Sequence, residues 1–230
     1  MTDSERAGEA GPAGGVRAGR VPAGETTPAR EAGPAGEATP AGLARPGKRE
    51  RLVAAAGELV YHRGIARTTL ADIAQAADVP AGNVYYYFKT KDDIVAAVVQ
   101  ARADELTAGV AELERRHRGP KARLKALVGV LAGRRDLIAQ FGCRYGTLSS
   151  DLVKQAGGPD PLAAPLIEIP LRWAEQQFRA MGRRDAHDLA AELVSGFQGG
   201  AVLASALGQP GLMASQARRL QRWIDALPEG

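Results

Sequence analysis

The chain has 230 residues, of which 45% are apolar and 24% are charged, and its formal net charge is +4. This composition is ordinary for a globular protein, and the single cysteine, Cys143, excludes an internal disulfide framework and suits a reducing cytoplasm. No run of about 18 apolar residues is present, so we expect a cytoplasmic protein with no membrane contact.

Residues 1–47 differ in composition from the rest of the chain. Alanine, glycine and proline dominate them, and the tripeptide Pro-Ala-Gly recurs at 12–14, 22–24, 34–36 and 40–42. Such a segment buries too little apolar surface to offset the entropy that ordering would cost. We therefore predict a disordered tail over these residues, and the sequence leaves open a weak nucleic-acid contact through its arginines.

From residue 48 onward, the apolar residues follow a helical pattern with short breaks. Thr69 is placed to cap the second helix, and Asp92 and Asp93 lie at the positive N-terminal end of the fourth. The four helices predicted in this part are 48–64, 69–77, 82–88 and 91–119.

Five further helical stretches follow, and no segment alternates as a strand does. Pro165 and Pro170 lie inside the third of them, so that helix either begins near Pro170 or kinks there. The fold class is therefore all-α, with a three-helix domain over 48–95 and a six-helix bundle over 96–230. The five stretches are 121–140, 144–156, 162–181, 185–207 and 211–227.

A helix-turn-helix is predicted between Leu70 and Tyr87. Ala74 is small enough for the two helices to cross closely, and Val84 supplies the apolar anchor after the turn. Asp78 occupies the turn, where glycine is usual. Aspartate and asparagine are the other residues that best tolerate left-handed backbone angles.

The aromatic tract inside NVYYYFKTK, 83–91, divides between two faces of the third helix. Helical spacing puts Tyr87 and Phe88 on the side of Val84, and it puts Tyr85 and Tyr86 on the opposite side. An aromatic tract can also be a core plug, but the turn and the flanking lysines favour a contact surface here.

The outward residues of this helix have the chemistry that a DNA groove requires. The phenol of Tyr85 can donate to a phosphate oxygen, and Lys91 adds positive charge at the edge of the groove. Gly82 permits a close approach to the DNA backbone, and the Asn83 amide has the geometry to read a base edge. The helix-turn-helix is therefore predicted to bind double-stranded DNA.

The segment TTLADIAQAADVPAGNVYYYFKTKDDI, 68–94, resembles the DNA-binding domain of the TetR family of transcriptional regulators, and the likeness extends back over RERLVAAAGELVYHRG. The resemblance implies phosphate contacts from Thr69, Tyr85 and Lys91. It implies that five further residues approach bases or phosphates: Ala81, Gly82, Asn83, Tyr86 and Tyr87.

The same resemblance implies a ligand-binding and dimerisation domain over 96–230, with the last two helices forming a homodimer. The sequence supports this independently, because apolar and small residues recur along one stripe of each of those helices. An intramolecular core stripe is the alternative. The predicted dimer interface comprises Leu193, Phe197, Gly200, Ala204, Met213, Ala217, Leu220 and Ile224.

The segment FGCRYGTLSSDLV, 141–153, resembles the drug-responsive, multidrug-repressor-like branch of that family. The resemblance implies an apolar cavity for a small-molecule effector, and no charged pair in the sequence indicates a preferred ligand charge. Ordinary core packing is the alternative for each wall residue. The predicted walls are Phe141, Cys143, Tyr145, Leu148, Leu152, Trp173, Gln177 and Phe178.

An enzyme is the main alternative class. His62, His117 and His187 are far apart in sequence, so no zinc-site spacing forms, and no glycine-rich phosphate loop is present. His117, His187-Asp188 and Asp225 imitate the ordered ligands of a metal-dependent His-Asp phosphohydrolase, but an aspartate is usual at a helix start. We expect no enzymatic activity, no cofactor and no metal.

The sequence thus predicts a homodimeric regulator, a repressor that binds a palindromic operator and is released by a small apolar molecule. A third alternative is an interaction protein without ligand control, which would use its exposed tyrosines to bind another protein.

Overall fold

A computed structural model of the protein describes residues 46–228, and these hold ten α-helices and no strand. The all-α prediction is confirmed, and the predicted tail lies almost entirely outside the described residues. The helices are α1 (Lys48–Arg63), α2 (Leu70–Ala76), α3 (Ala81–Tyr87), α4 (Lys91–Arg116), α5 (Pro120–Ala132), α6 (Arg135–Phe141), α7 (Arg144–Ala156), α8 (Pro165–Ala180), α9 (Ala186–Leu207) and α10 (Pro210–Ala226).

The part that follows α3 has seven helices in the described residues, where six were predicted. The predicted stretch 121–140 is two helices, because the chain leaves the α-helix at Gly133, a poor helix former, and restarts at Arg135. The helix with two prolines begins at Pro165, whose missing N–H costs nothing in the first turn, and continues through Pro170.

Helices α2 and α4 both begin with reciprocal capping contacts. The Asp72 N–H donates to Thr69 Oγ1 over 3.1 Å, and the Thr69 N–H donates to Asp72 Oδ2 over 3.0 Å. Thr90 and Asp93 make the same pair of contacts at the start of α4. Hydrogen bonds to the carboxylates, chiefly from the Thr69 hydroxyl to Asp72 and from the Thr90 N–H to Asp93, hold the pKa of both carboxyl groups below their usual range.

Two apolar cores lie along the chain, and α4 takes part in both. The first joins α1 to α4 with α7, and it includes Leu52, Val84 and Ile94. The second joins α5, α6 and α8 to α10, and Leu113 brings the C-terminal end of α4 into it. A displacement of α4 would therefore act on both cores.

Helix α9 is long and apolar enough, by length and composition alone, to cross a membrane. However, it packs against α6, α8 and α10, and much of its apolar side lies inside the second core. The arrangement is that of a central core helix.

Candidate functional site

The turn between α2 and α3 has the left-handed geometry that the sequence predicted. Asp78 has a φ of 50°, the one positive φ at a residue other than glycine in the described chain. The next residue closes the turn, since the Val79 N–H donates to the Ala74 carbonyl over 3.0 Å. Ala74 and Val79 are both buried, so the turn fixes α3 against α2.

Asp78→Ala is expected to lower the free energy of unfolding by about 1 kcal/mol, whereas Asp78→Gly is expected to keep or raise it. The reason is the backbone angle, which glycine adopts freely and alanine does not. The Arg51–Asp78 ion pair that both changes remove is long, at 3.8 Å, and its aspartate is fully exposed. Urea unfolding of the two variants measures the difference, and equal losses would assign the effect to the ion pair.

Helix α3 divides its aromatic residues between core and surface. Val84 and Phe88 are buried, whereas Tyr85 is 56% exposed and Tyr86 is 78% exposed. Tyr87 is half-buried against the first core, and its ring meets that of Tyr86 edge-on at 5.0 Å. The inward pair therefore anchors the helix, and the outward pair is presented on its surface.

The start of α3 is open to a partner. Ala81 and Gly82 are exposed, and Asn83 is half-buried. A Cβ placed on Gly82 would meet no described atom within 4 Å, so the backbone here is uncovered. This end of the helix can approach a DNA backbone closely.

Two of the predicted phosphate contacts have intramolecular partners in the structure. The Thr69 hydroxyl donates to Asp72 over 2.7 Å, and the Lys91 ammonium donates to the Ile65 carbonyl over 3.0 Å. Lys91 therefore ties the start of α4 to the loop before α2, and two N–H donors of its ammonium remain for another partner. Lys89, which is exposed and donates to the Tyr85 carbonyl over 2.8 Å, is a basic residue of this surface that the sequence reasoning did not assign.

The predicted dimer-interface residues lie inside the chain's own second core, which speaks against a dimer contact through them. All eight are buried between α9, α10 and their neighbours, and a partner has no access to them. Helices α9 and α10 pack closely at this point, because a Cβ on Gly200 would come within 2.9 Å of Gln216 Cγ. The eight residues of this prediction are Leu193, Phe197, Gly200, Ala204, Met213, Ala217, Leu220 and Ile224.

The opposite side of α9 carries apolar residues with no cover in the described chain. Val202 is 64% exposed, Leu203 is 56% exposed and Leu207 is 59% exposed. We call these three residues the outer face of α9.

Six of the eight predicted effector-pocket residues have other packing partners. Phe141 packs on His62 with ring centroids 4.5 Å apart. Phe178 is fully buried in the second core, and its ring meets that of Trp223 at 5.9 Å. These six residues are Phe141, Leu148, Leu152, Trp173, Gln177 and Phe178.

Trp173 and Gln177 belong to a polar cluster instead. The Trp173 indole donates to Glu114 Oε1 over 2.8 Å, and the Gln177 amide donates to the same oxygen over 3.4 Å. Arg123 donates to the amide oxygen of Gln177 over 3.3 Å. These contacts join α4, α5 and α8.

Cys143 and Tyr145, the other two predicted wall residues, separate two adjoining cavities. The apolar cavity has a volume of about 50 Å³ and includes Leu127, Leu166 and Val194 in its walls. The polar chamber has a volume of about 290 Å³ and is lined by charged as well as apolar residues. Burial, followed by the charge of Glu105, raises the pKa of the Tyr145 phenol, so this group is neutral at physiological pH.

An ion-pair network connects the polar chamber with α1. Arg102 Nη1 donates to both oxygens of Glu105, over 2.8 and 3.0 Å, and Arg102 Nη2 donates to Glu58 over 3.1 Å. Arg144 Nη2 donates to the same Glu58 oxygen over 3.0 Å. A Cβ on Gly57 would stand 2.9 Å from Arg102, so a glycine makes room for this network. The residues come from α1, α4 and α7, and sequence spacing gave no sign of the grouping.

The histidines and aspartates of the phosphohydrolase alternative do not form a metal site in the described chain. Within residues 46–228, no group of three or more His, Cys, Asp or Glu side chains has the arrangement of a metal site. His187 lies 3.3 Å from Glu175, and Asp225 accepts hydrogen bonds from Lys125. These contacts are ordinary surface pairs.

The first part of the described chain matches a known family. Residues 52–98 match the family model for bacterial regulatory proteins of the tetR family. The chain is 43% identical over 53 residues to the HTH-type transcriptional regulator TtgR of Pseudomonas putida, covering 23% of this chain and 25% of the relative. It is 33% identical over 82 residues to the HTH-type transcriptional repressor KstR2 of Rhodococcus jostii, covering 36% and 40%.

A longer alignment gives 31% identity over 126 residues to the HTH-type transcriptional activator FasR of Mycolicibacterium smegmatis, covering 54% of this chain and 48% of the relative. The chain thus spans between about a quarter and a half of the length of these curated relatives.

The fold is also that of solved structures. A TetR transcriptional regulator from Legionella pneumophila superposes with a TM-score of 0.69 at 19% identity, covering 79% of this chain and 100% of that structure. The curated relatives are named as transcriptional regulators, which speaks against the phosphohydrolase alternative. Residues 52–98 therefore match the DNA-binding domain of bacterial regulatory proteins of the tetR family, and the described chain has the fold of solved TetR regulators.

Proposed function

We propose that the chain is a cytoplasmic, homodimeric transcriptional repressor that binds a palindromic DNA operator and is released by a small molecule. The observation that carries the proposal is α3, which buries Val84 and Phe88 and presents Tyr85 and Tyr86 to the outside. An exposed aromatic pair on a short, anchored helix after a helix-turn-helix turn suits insertion into the major groove. The name of one relative, a transcriptional repressor, supports the direction of control.

The proposed DNA contacts are of two kinds: contacts to phosphates, which position the protein on the DNA, and contacts to base edges, which select the sequence. Tyr85 and Thr69 bind phosphates, together with Lys91 through its remaining donors. Asn83 and Tyr86 face base edges. Ala81 and Gly82 allow the helix to approach the DNA backbone closely, and Tyr87 lies at the edge of the contact surface. Because Ala81 and Gly82 have no hydrogen-bonding side chain, base selection depends on Asn83 and Tyr86.

Dimerisation follows from the geometry of DNA. Two recognition helices reach successive major grooves only if they are held about 34 Å apart, one helical turn. We propose that the outer face of α9 forms the dimer contact, because its three large apolar side chains are uncovered in the single chain.

The effector acts through α4 in the proposed mechanism. Both cavities touch α4, the apolar cavity at Leu106 and Val110 and the polar chamber at Glu105 and Gly109. The same helix begins at Lys91, directly after the recognition helix. An effector that binds more tightly to the form with displaced α4 changes the spacing of the recognition helices and releases the operator.

Two substitutions distinguish base contacts from phosphate contacts. Tyr85→Phe is expected to weaken binding to all DNA sequences alike, by roughly two- to tenfold, because it removes one phosphate hydrogen bond. Asn83→Ala is expected to cost about 1–3 kcal/mol and to relax the preference at one base pair. A footprint on the DNA that flanks the protein's own gene defines the site, and titrations over a salt series measure both effects.

Gln140→Ala is the matched control, since it removes an exposed amide from α6, outside the proposed interface. It is expected to leave binding unchanged. If Asn83→Ala lowered affinity equally for matched and mismatched sites, Asn83 would not read a base. If the wild-type chain bound no DNA at low salt, the interaction-protein alternative would take its place.

A further inference from the structure

The polar chamber is lined by both apolar and charged side chains. Val130 and Leu137 line it and are exposed. Its charged lining residues are Glu105, Arg134 and Arg144. An occupant of this space therefore meets both apolar side chains and ionic groups.

Among the charged lining residues, the unused hydrogen-bonding capacity belongs to a cation. Glu105 already accepts two hydrogen bonds from Arg102. Arg144, in contrast, makes one short bond, from Nη2 to Glu58, and its Nη1 lies 3.9 Å from Glu105, too far for a hydrogen bond. Arg144 Nε is buried and has no hydrogen-bond partner among the described residues. Donors are therefore in excess over acceptors at this point.

Arg134 strengthens the positive character of the chamber. It is exposed, and its charge acts together with that of Arg144 on the phenols of Tyr61 and Tyr145, which both line the chamber. A ligand cation would face two arginines and a carboxylate that is already paired. A ligand carboxylate would face two arginines, and the Nε of one of them, Arg144, has no hydrogen-bond partner among the described residues.

The apolar cavity lies beyond the shared wall of Leu131, Cys143, Tyr145 and Phe197. At about 50 Å³ it is too small for a whole effector, because ligand pockets usually measure some hundreds of Å³. Its walls suit the end of a hydrocarbon chain or an apolar ring, which would enter when Tyr145 turns aside.

We propose that the effector is an amphipathic organic anion, whose carboxylate takes Arg144 from Glu58 and whose apolar body extends past Tyr145 into the apolar cavity. This inference rests on the proposed function and specifies the chemistry of its effector. Glu58 belongs to α1, which packs in the first core with the recognition helix. The exchange at Arg144 therefore loosens a contact between the chamber and the DNA-binding part.

Calorimetric titration of the full chain, without DNA, tests the inference with three probes of equal chain length. These are decanoate, decanol and decyltrimethylammonium, each below its aggregation concentration. Wild-type protein is expected to bind decanoate roughly tenfold or more tightly than either of the others, because only the carboxylate gains charge-assisted hydrogen bonds. Decanoate that binds no better than decanol, or not at all, overturns the proposal.

Three variants locate the binding group. Arg144→Gln is expected to lower decanoate affinity roughly tenfold and to leave decanol affinity unchanged. Arg134→Gln, at an exposed position that the fold tolerates, is expected to lower decanoate affinity severalfold. Arg184→Gln removes an exposed arginine elsewhere and is expected to change nothing. An undiminished preference for decanoate in both Arg144→Gln and Arg134→Gln overturns the assignment.

Glu58→Gln gives a readout that a merely structural role would not produce. Removing the competing carboxylate is expected to raise decanoate affinity severalfold, and an unchanged or lower affinity contradicts the exchange at Arg144. Operator binding is measured separately. DNA binding with no decanoate binding defeats this inference alone, whereas decanoate binding at Arg144 with no DNA binding defeats the proposed function alone.

Discussion

Replacing Val202 and Leu203 together by glutamate is expected to convert the dimer into monomers and to lower operator affinity by on the order of 100-fold or more. Both side chains are more than half exposed on α9, so the isolated chain accommodates the charges without loss of its core. In the dimer, the same positions would bury four carboxylates against apolar surface, at a cost that the interface cannot offset. Light scattering gives the mass, and the operator titration gives the affinity.

The control for this pair is Val153→Glu, which introduces a carboxylate at a partly exposed valine of α7, away from the outer face of α9. It is expected to leave both mass and operator affinity unchanged. A double variant that stayed dimeric would place the dimer contact on another surface. If the variant were monomeric but kept full operator affinity, operator binding would not require a dimer.

The DNA-binding part was predictable in detail because its determinants are local. A capping threonine, a turn residue with left-handed angles and an apolar anchor each depend on neighbours within a few positions, and Thr69, Asp78 and Val84 have the expected roles. Helical spacing also separated Phe88 from Tyr85 correctly. The intramolecular bond of Lys91 to Ile65 was not predictable, since 26 residues separate them.

The dimer residues show what periodicity leaves undetermined. A stripe such as Met213, Ala217, Leu220 and Ile224 indicates that one side of a helix is buried, but it does not indicate whether the cover is the same chain or a partner. In this protein, helices α9, α5 and α6 of the same chain pack against the stripe on α10. The outer face was hidden in the sequence because Val202 and Leu203 lie in a run of apolar residues along a helix that is apolar on most of its sides.

The effector site was only partly predictable for a related reason. The resemblance of 141–153 to the multidrug-repressor-like branch implied Cys143 and Tyr145 as walls of an effector pocket, and both line the two cavities, although their role towards an effector stays a prediction. The charged part of the chamber depends on Glu58, Glu105 and Arg144, which stand on three helices and share no spacing pattern. Sequence spacing therefore gave no sign of the charged residues beside these cavities, or of the unpartnered Nε of Arg144.

Phe178→Ala is expected to lower the free energy of unfolding by about 3–5 kcal/mol, the usual cost of deleting a buried aromatic side chain. Phe178 was predicted as a pocket wall, but its side chain is fully buried and borders neither described cavity. Its removal leaves a void that the surrounding helices fill only in part, and it deletes the ring contact with Trp223. Urea unfolding followed by tryptophan fluorescence measures the loss.

The unfolding of Phe178→Ala and of the wild type must be compared at one protein concentration, because dissociation of a dimer contributes to apparent stability. Val153→Ala, a small truncation at the surface, is expected to change stability by less than about 0.5 kcal/mol. A loss below about 1 kcal/mol for Phe178→Ala would mean that the ring borders space that water or a ligand can occupy. In that case the effector site would extend into the second core, as the sequence first suggested, and decanoate affinity would change in the same variant.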